Sequence, residues 1–64
     1  GVKEALQETE AAIRQVLDGA ADVELLPQNA YVRRLQHELA RAADLESYSV
    51  GEEPRRCVHV RRGG

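Results

Sequence analysis

Residues 22–50 read DVELLPQNAYVRRLQHELARAADLESYSV, and this stretch decides the fold. Asp22 to Leu26 is a short apolar run stopped by Pro27, a pattern that predicts a strand over 22–26. Asn29 is placed to N-cap a helix over 29–43, with Val32, Leu35, Leu39, Ala42 and Ala43 as its apolar stripe. Leu45-Glu-Ser-Tyr-Ser-Val50 then reads as a second strand over 45–50. A strand–helix–strand connection crosses over right-handed, so these strands run parallel without having to be neighbours.

Working outward, apolar residues from Val2 to Ala20 recur at helical spacing: Ala5/Leu6, Ala12/Ile13, Val16/Leu17. Glu4, Glu8 and Glu10 suit the start of such a helix, and Gly19 suits its end. Beyond the second strand, Gly51-Glu-Glu-Pro54 predicts a turn. Arg55 to Arg61 alternates as a third strand with Val58 and Val60 inward. That strand fits between the other two, antiparallel to both. The expected fold is α+β: a three-stranded antiparallel sheet in order 1-3-2, two helices on one face, the other face open. Residues 1–64 form one domain, expected to be a piece of a larger protein, with Gly63-Gly64 as a linker stub.

Sixty-four residues, without Phe, Trp or Met, leave no wall for an enclosed substrate cavity, which argues against an enzyme. A single cysteine, Cys57, excludes an internal disulfide and fits a reducing, cytoplasmic setting. No apolar run approaches the roughly 18 residues of a membrane span. Charge is divided along the chain. Residues 1–26 hold two basic against six acidic side chains, whereas residues 27–64 hold seven arginines against five acids. An anionic partner is expected to dock on the second half.

The second helix concentrates that charge. At about 100° per residue from Val32, the apolar stripe centres near about 340°. Arg33 falls at about 100°, His37 at about 140°, Arg41 at about 180° and Arg34 at about 200° on the same wheel. All four are expected to face away from the core. Arg33 and His37, at i and i+4, are neighbours on the helix surface and suited to grip one phosphate.

Arg33-Arg-Leu-Gln-His37, followed by Ser47-Tyr-Ser49-Val-Gly51-Glu-Glu-Pro54-Arg-Arg56, resembles the arginine-xxx-histidine (R-3-H) domain over roughly residues 21–62. The stretch from Leu26 to His37 is most similar to the version at the C-terminus of bacterial and plastid P-loop ATPases. Proteins that pair this domain with a KH domain are the second candidate. The resemblance implies binding of single-stranded DNA or RNA with little sequence preference and helices on one side of a three-stranded sheet. It carries Arg33 and His37 over as the signature pair, and Ser49, Gly51, Pro54 and Arg56 as the turn, with Arg55 beside it. Arg34 and Arg41 join the candidate set from the helix face alone.

Other readings stand beside this one. Arg33 and His37 would also suit a solvated helix face resting on Asp44, and Arg34 and Arg41 could pair with Glu38. Arg55, Cys57, His59 and Arg61 share outward parity and form either a basic stripe or ordinary edge protection. No metal is expected: Cys57-x-His59 is not a usual ligand gap, and His37 belongs to a helix over the other face. No cofactor is expected either. The rival function is a protein-docking module for an adjacent ATPase or partner domain, through the acidic first helix or the open sheet face.

Overall fold

The computed structural model describes residues 1–63. Helix α1 spans Val2–Leu17 and buries Ala5, Thr9, Ala12 and Val16, one stripe at helical spacing. Thr9 enters that stripe because its hydroxyl donates to the Ala5 carbonyl at 2.7 Å, which leaves no orphaned donor. The helix stops at Leu17 rather than Ala20 because Gly19 turns left-handed, φ 119°. The Gly19 and Ala20 amides then donate back to the Val16 and Gln15 carbonyls, the double bond of a glycine-terminated helix.

Strand β1 is Asp22–Glu24, helix α2 is Ala30–Ala42, strand β2 is Glu46–Val50 and strand β3 is Cys57–Arg61. The sheet order is β1-β3-β2, with β3 antiparallel to both neighbours, as the sequence leads one to expect. All three strands are shorter than expected, β2 by a single residue. The ladder beyond Glu24 continues by one bond, from the Leu25 amide to the Val58 carbonyl, before Pro27 ends it. Arg55 and Arg56 belong to the preceding turn rather than to the strand.

Helix α2 begins where Asn29 caps it: its side-chain oxygen accepts from the Val32 amide at 2.9 Å. It ends in the same way as α1 but with Asp44, φ 59°, in the glycine position. The Asp44 amide donates to the Arg41 carbonyl and the Leu45 amide to the Ala40 carbonyl, both at 2.9 Å. Leu45 and Ala40 are both in the core with Ala12, Val16, Leu25, Val58 and Val60. The helices therefore lie on the Val58/Val60 face of the sheet.

The buried face of α2 departs from the expected stripe. Val32, Gln36 and Ala40 are buried, Leu35 and Leu39 are half-buried, and Ala42 is exposed. The face that packs is centred on Gln36, about 40° round the wheel from Val32 rather than at about 340°. That rotation of about 60° carries Arg33 and His37 from the far side of the helix to the flank of the core. Among the described residues no helix is long and apolar enough to cross a membrane.

Gln36 is fully buried, and neither its amide nitrogen nor its oxygen meets a protein partner. Such a group costs about 1–3 kcal/mol of desolvation. Gln36→Met, similar in length and apolar, is expected to stabilise the domain by about 1 kcal/mol, raising Tm by about 4–8 °C for a chain of this size. Thermal melts of the two proteins, followed by circular dichroism, check this; an unchanged or lower Tm would contradict it.

Candidate nucleic-acid interface

Alternation along β2 puts Ser47 and Ser49 on the inner face, opposite Val60 and Val58 of β3. Small polar residues there leave a gap under α2, and His37 fills it. Its Nδ1 lies 2.6 Å from the Ser47 hydroxyl oxygen and its Nε2 lies 2.8 Å from that of Ser49. The expectation that His37 faces water is thus corrected: the ring is half-buried, with both nitrogens engaged by protein. Burial is the largest cause holding its pKa below the ordinary 6.5, and Arg41, Arg33 and Arg56 add to it. The ring is therefore neutral at pH 7. One nitrogen donates to one serine, and the other accepts from the second.

Arg33 is corrected in the same way. Its side chain is only 11% exposed. Nη1 donates at 2.6 Å both to the Gln28 carbonyl and to the Glu53 carboxylate. Arg33 thus ties the entry of α2 to the 51–56 turn. That turn is closed from within: Arg56 Nη1 donates to the Gly51 carbonyl at 2.8 Å, and the Arg55 amide donates to the Glu52 carbonyl at 2.8 Å. The Gln28 amide in turn donates to the Arg56 carbonyl at 3.2 Å. Gly51 has φ 90°, and a Cβ there would lie 3.2 Å from the Arg55 carbonyl oxygen, so the position favours glycine on two counts. Pro54 follows a cis peptide bond.

A signature arginine clamping the turn and a signature histidine clamping β2 are one structural unit, spread over the whole second half of the chain. The family model described as the R-3-H domain matches residues 3–62. The chain belongs to the R-3-H domain family. That family is generally associated with binding single-stranded nucleic acid. The chain is also 40% identical, over 58 residues, to a protein of Porphyra purpurea named "Uncharacterized protein ycf45". The match covers 89% of this chain and 10% of that protein's length.

Within this R-3-H domain the hydrogen bonds fall into two sets, His37 with Ser47 and Ser49, and Arg33 with Gln28, Glu53 and the Arg56–Gly51 turn, while Arg41 comes in from the next turn of α2. Arg41, His37 and Ser47 line an open cleft of about 290 Å³ with Leu45, Glu46 and Arg61. Arg34 and Arg55 are exposed and stand apart from both sets. Among the described residues, Arg34, Arg41, Arg55 and Arg56 form no ion pair with a carboxylate, neither with Glu38 nor with Asp44. Ser47, Gln28 and Glu53 complete the site and were not singled out from the sequence. The alternation Ser47-x-Ser49 carried the signal for Ser47, since both hydroxyls must share a face. Gln28 and Glu53 act through a carbonyl and a long-range ion pair, which leave no pattern.

The open sheet face differs from a basic stripe. Arg61 and His59 are there as expected, but Asp22, Glu24 and Glu46 share the face with them. Arg61 pairs with Glu46 at 3.2 Å, and His59 Nδ1 lies 2.8 Å from Asp22. Tyr48 stacks on His59 with ring centroids 4.9 Å apart, and the Arg61 guanidinium sits 5.0 Å from the Tyr48 ring centre. Cys57, expected to point outward to solvent, is buried despite its parity, with donor atoms of Glu24 and His59 within 4.8 Å of its sulfur.

The neutral His37 gives the fold a pH dependence. With the folded pKa below 6.5, the stability due to the ring is complete above that value and is lost as pH falls through it. Tm of the domain is expected to fall between pH 7.5 and pH 5, and to fall less in His37→Asn. Melts at several pH values test it; parallel curves for the two proteins would contradict the assignment. Ser47→Ala and Ser49→Ala should each cost about 1 kcal/mol in a denaturant titration.

Proposed function

We propose that this R-3-H domain binds single-stranded DNA or RNA through the sugar–phosphate backbone, with low sequence specificity, as an accessory module of a longer protein. The observation that carries this reading is electrostatic. Three guanidinium groups, Arg33, Arg41 and Arg56, act together on one imidazole. Of these, among the described residues, only Arg33 has a carboxylate partner, the exposed Glu53. A field of that sign on a face with an open cleft suits a chain of phosphates.

The roles divide accordingly. Arg41 and Arg56 contact phosphates directly, and Arg34 and Arg55 extend the positive surface along the helix and the turn. Arg33 and His37 are positioning residues in the free domain: they set the distance between α2, β2 and the turn. A bound phosphate competes with Glu53 for Arg33. Ser49, on His37, and Gly51, on Arg56, hold the frame.

The domain belongs to a longer parent protein. The similarity to the Porphyra purpurea protein covers 10% of that protein, which supports a longer chain around this domain. A P-loop ATPase core or a KH domain in the same chain is the proposed context, and the cytoplasm is the proposed compartment, supported by a single unpaired cysteine. Any catalysis is assigned to that parent and not to this domain.

With about three phosphates engaged, log K should fall with log salt with a slope near about −2 for single strands. Arg41→Ala combined with Arg56→Ala is expected to reduce that slope to about −0.7 and to weaken binding at low salt by about tenfold or more. Glu53→Gln, which releases Arg33, should tighten binding. Titration of a fluorescent single-stranded oligonucleotide at several salt concentrations reads all three. A folded double variant that binds like the parent would defeat the proposal.

A further inference from the structure

The face of the sheet away from the helices gathers three groups of another kind. Cys57 Sγ, a nitrogen of His59 and a carboxylate oxygen of Glu24 all lie within 4.8 Å of one another. Cys57 and His59 are two apart on β3, and Glu24 is the cross-strand partner of His59 on β1. We propose that these three residues form a binding site for a thiophilic divalent cation, Zn²⁺, with water in the fourth position. This site is on the opposite side of the sheet from His37 and is independent of the nucleic-acid reading.

The donor set is a thiolate, an imidazole and a carboxylate, the three ligand types that zinc takes in tetrahedral sites. Tetrahedral bonds of about 2.0–2.3 Å put ligand atoms about 3.5 Å apart. His59 Nε2 and Glu24 Oε1 are already 3.8 Å apart. Glu24 has a side chain 69% exposed, so a change of rotamer can close the remaining gap. The ring is also placed for the task. Nδ1 lies 2.8 Å from Asp22, and Nε2 is the nitrogen on the Glu24 side. A carboxylate on the far nitrogen of a metal-binding histidine fixes its tautomer and raises its basicity.

Asp22 is itself well suited to that role. The Tyr48 hydroxyl donates to it first, His59 second, and both hold its carboxyl below the usual carboxylate range. It remains an acceptor across the neutral range. The stacked Tyr48 ring restrains His59 from the β2 side. Burial and the Glu24 charge keep Cys57 protonated in the free protein, while Arg56 opposes them weakly. Zinc therefore displaces a proton from sulfur as it binds. The bonds formed run to Sγ, Nε2 and a carboxylate oxygen, and no redox partner is involved.

The competing account is that His59 simply rests between Asp22 and Glu24, with Cys57 as an inert buried thiol. Titration of the reduced domain with Co²⁺ and Zn²⁺ separates the two. The expected result is a thiolate-to-cobalt charge-transfer absorption that saturates at one equivalent, is displaced by Zn²⁺ and disappears in Cys57→Ala. Because Cys57 is buried, a second variant keeps the test independent of folding: Glu24→Gln, on an exposed side chain, should weaken Zn²⁺ binding at least tenfold. Asp22→Asn should weaken it about tenfold. Absence of the charge-transfer band at excess Co²⁺, or unchanged Zn²⁺ affinity in folded Glu24→Gln, would overturn the site.

Discussion

The arrangement of the second half of the chain depends on one contact, the imidazole of His37 held between the hydroxyls of Ser47 and Ser49. It joins a helix to an edge strand through a polar bridge where an apolar core would otherwise have to reach. Each of its hydrogen bonds contributes only about 0.5–1.5 kcal/mol net. Its value is in specificity, because a ring with two nitrogens and two serines two residues apart fit in a single register. A slip of β2 by one residue would turn both serines to the other face and leave both nitrogens unpartnered. Arg33 performs the same service for the turn, through a backbone carbonyl and a carboxylate at once.

This use of the signature pair alters how the motif is to be understood. An arginine and a histidine four apart on a helix look like two prongs of a grip on a ligand. Here they are braces, and among the described residues their neighbours Arg34, Arg41, Arg55 and Arg56 are left without a carboxylate partner. The acidic residues are distributed to match. Glu8 accepts the Leu26 amide at 3.0 Å, and Asp22 and Glu46 hold His59 and Arg61 on the open sheet face.

Much of the fold was legible in the sequence. Strand–helix–strand order, the handedness of the crossover and the alternation around Val58 and Val60 were enough to give the 1-3-2 sheet. Asn29 and Gly19 marked helix ends that the structure realises through their expected bonds. The failure came at Gln36. A rule that places Leu, Val and Ala inward has no reason to bury an amide, so the helix was rotated by about a sixth of a turn. That one misplacement put His37 and Arg33 in water. Cys57 failed for a similar reason: strand parity gives the face of a residue but not how deeply it is buried. Pairing across 20 residues, as between Arg33 and Glu53, leaves no trace in local pattern at all.

The sheet order has a temporal side. β3 is the strand in the middle, yet it is the last of the three in the chain, and β1 and β2 touch only it. A nascent polypeptide emerging from the ribosome can wind both helices early, but no strand has a partner until Cys57–Arg61 is released. Sheet assembly is therefore a late and nonlocal event, with its entropic cost concentrated in one step. A chain cut short before that segment would be left with two unpaired strands and a core lacking Val58 and Val60.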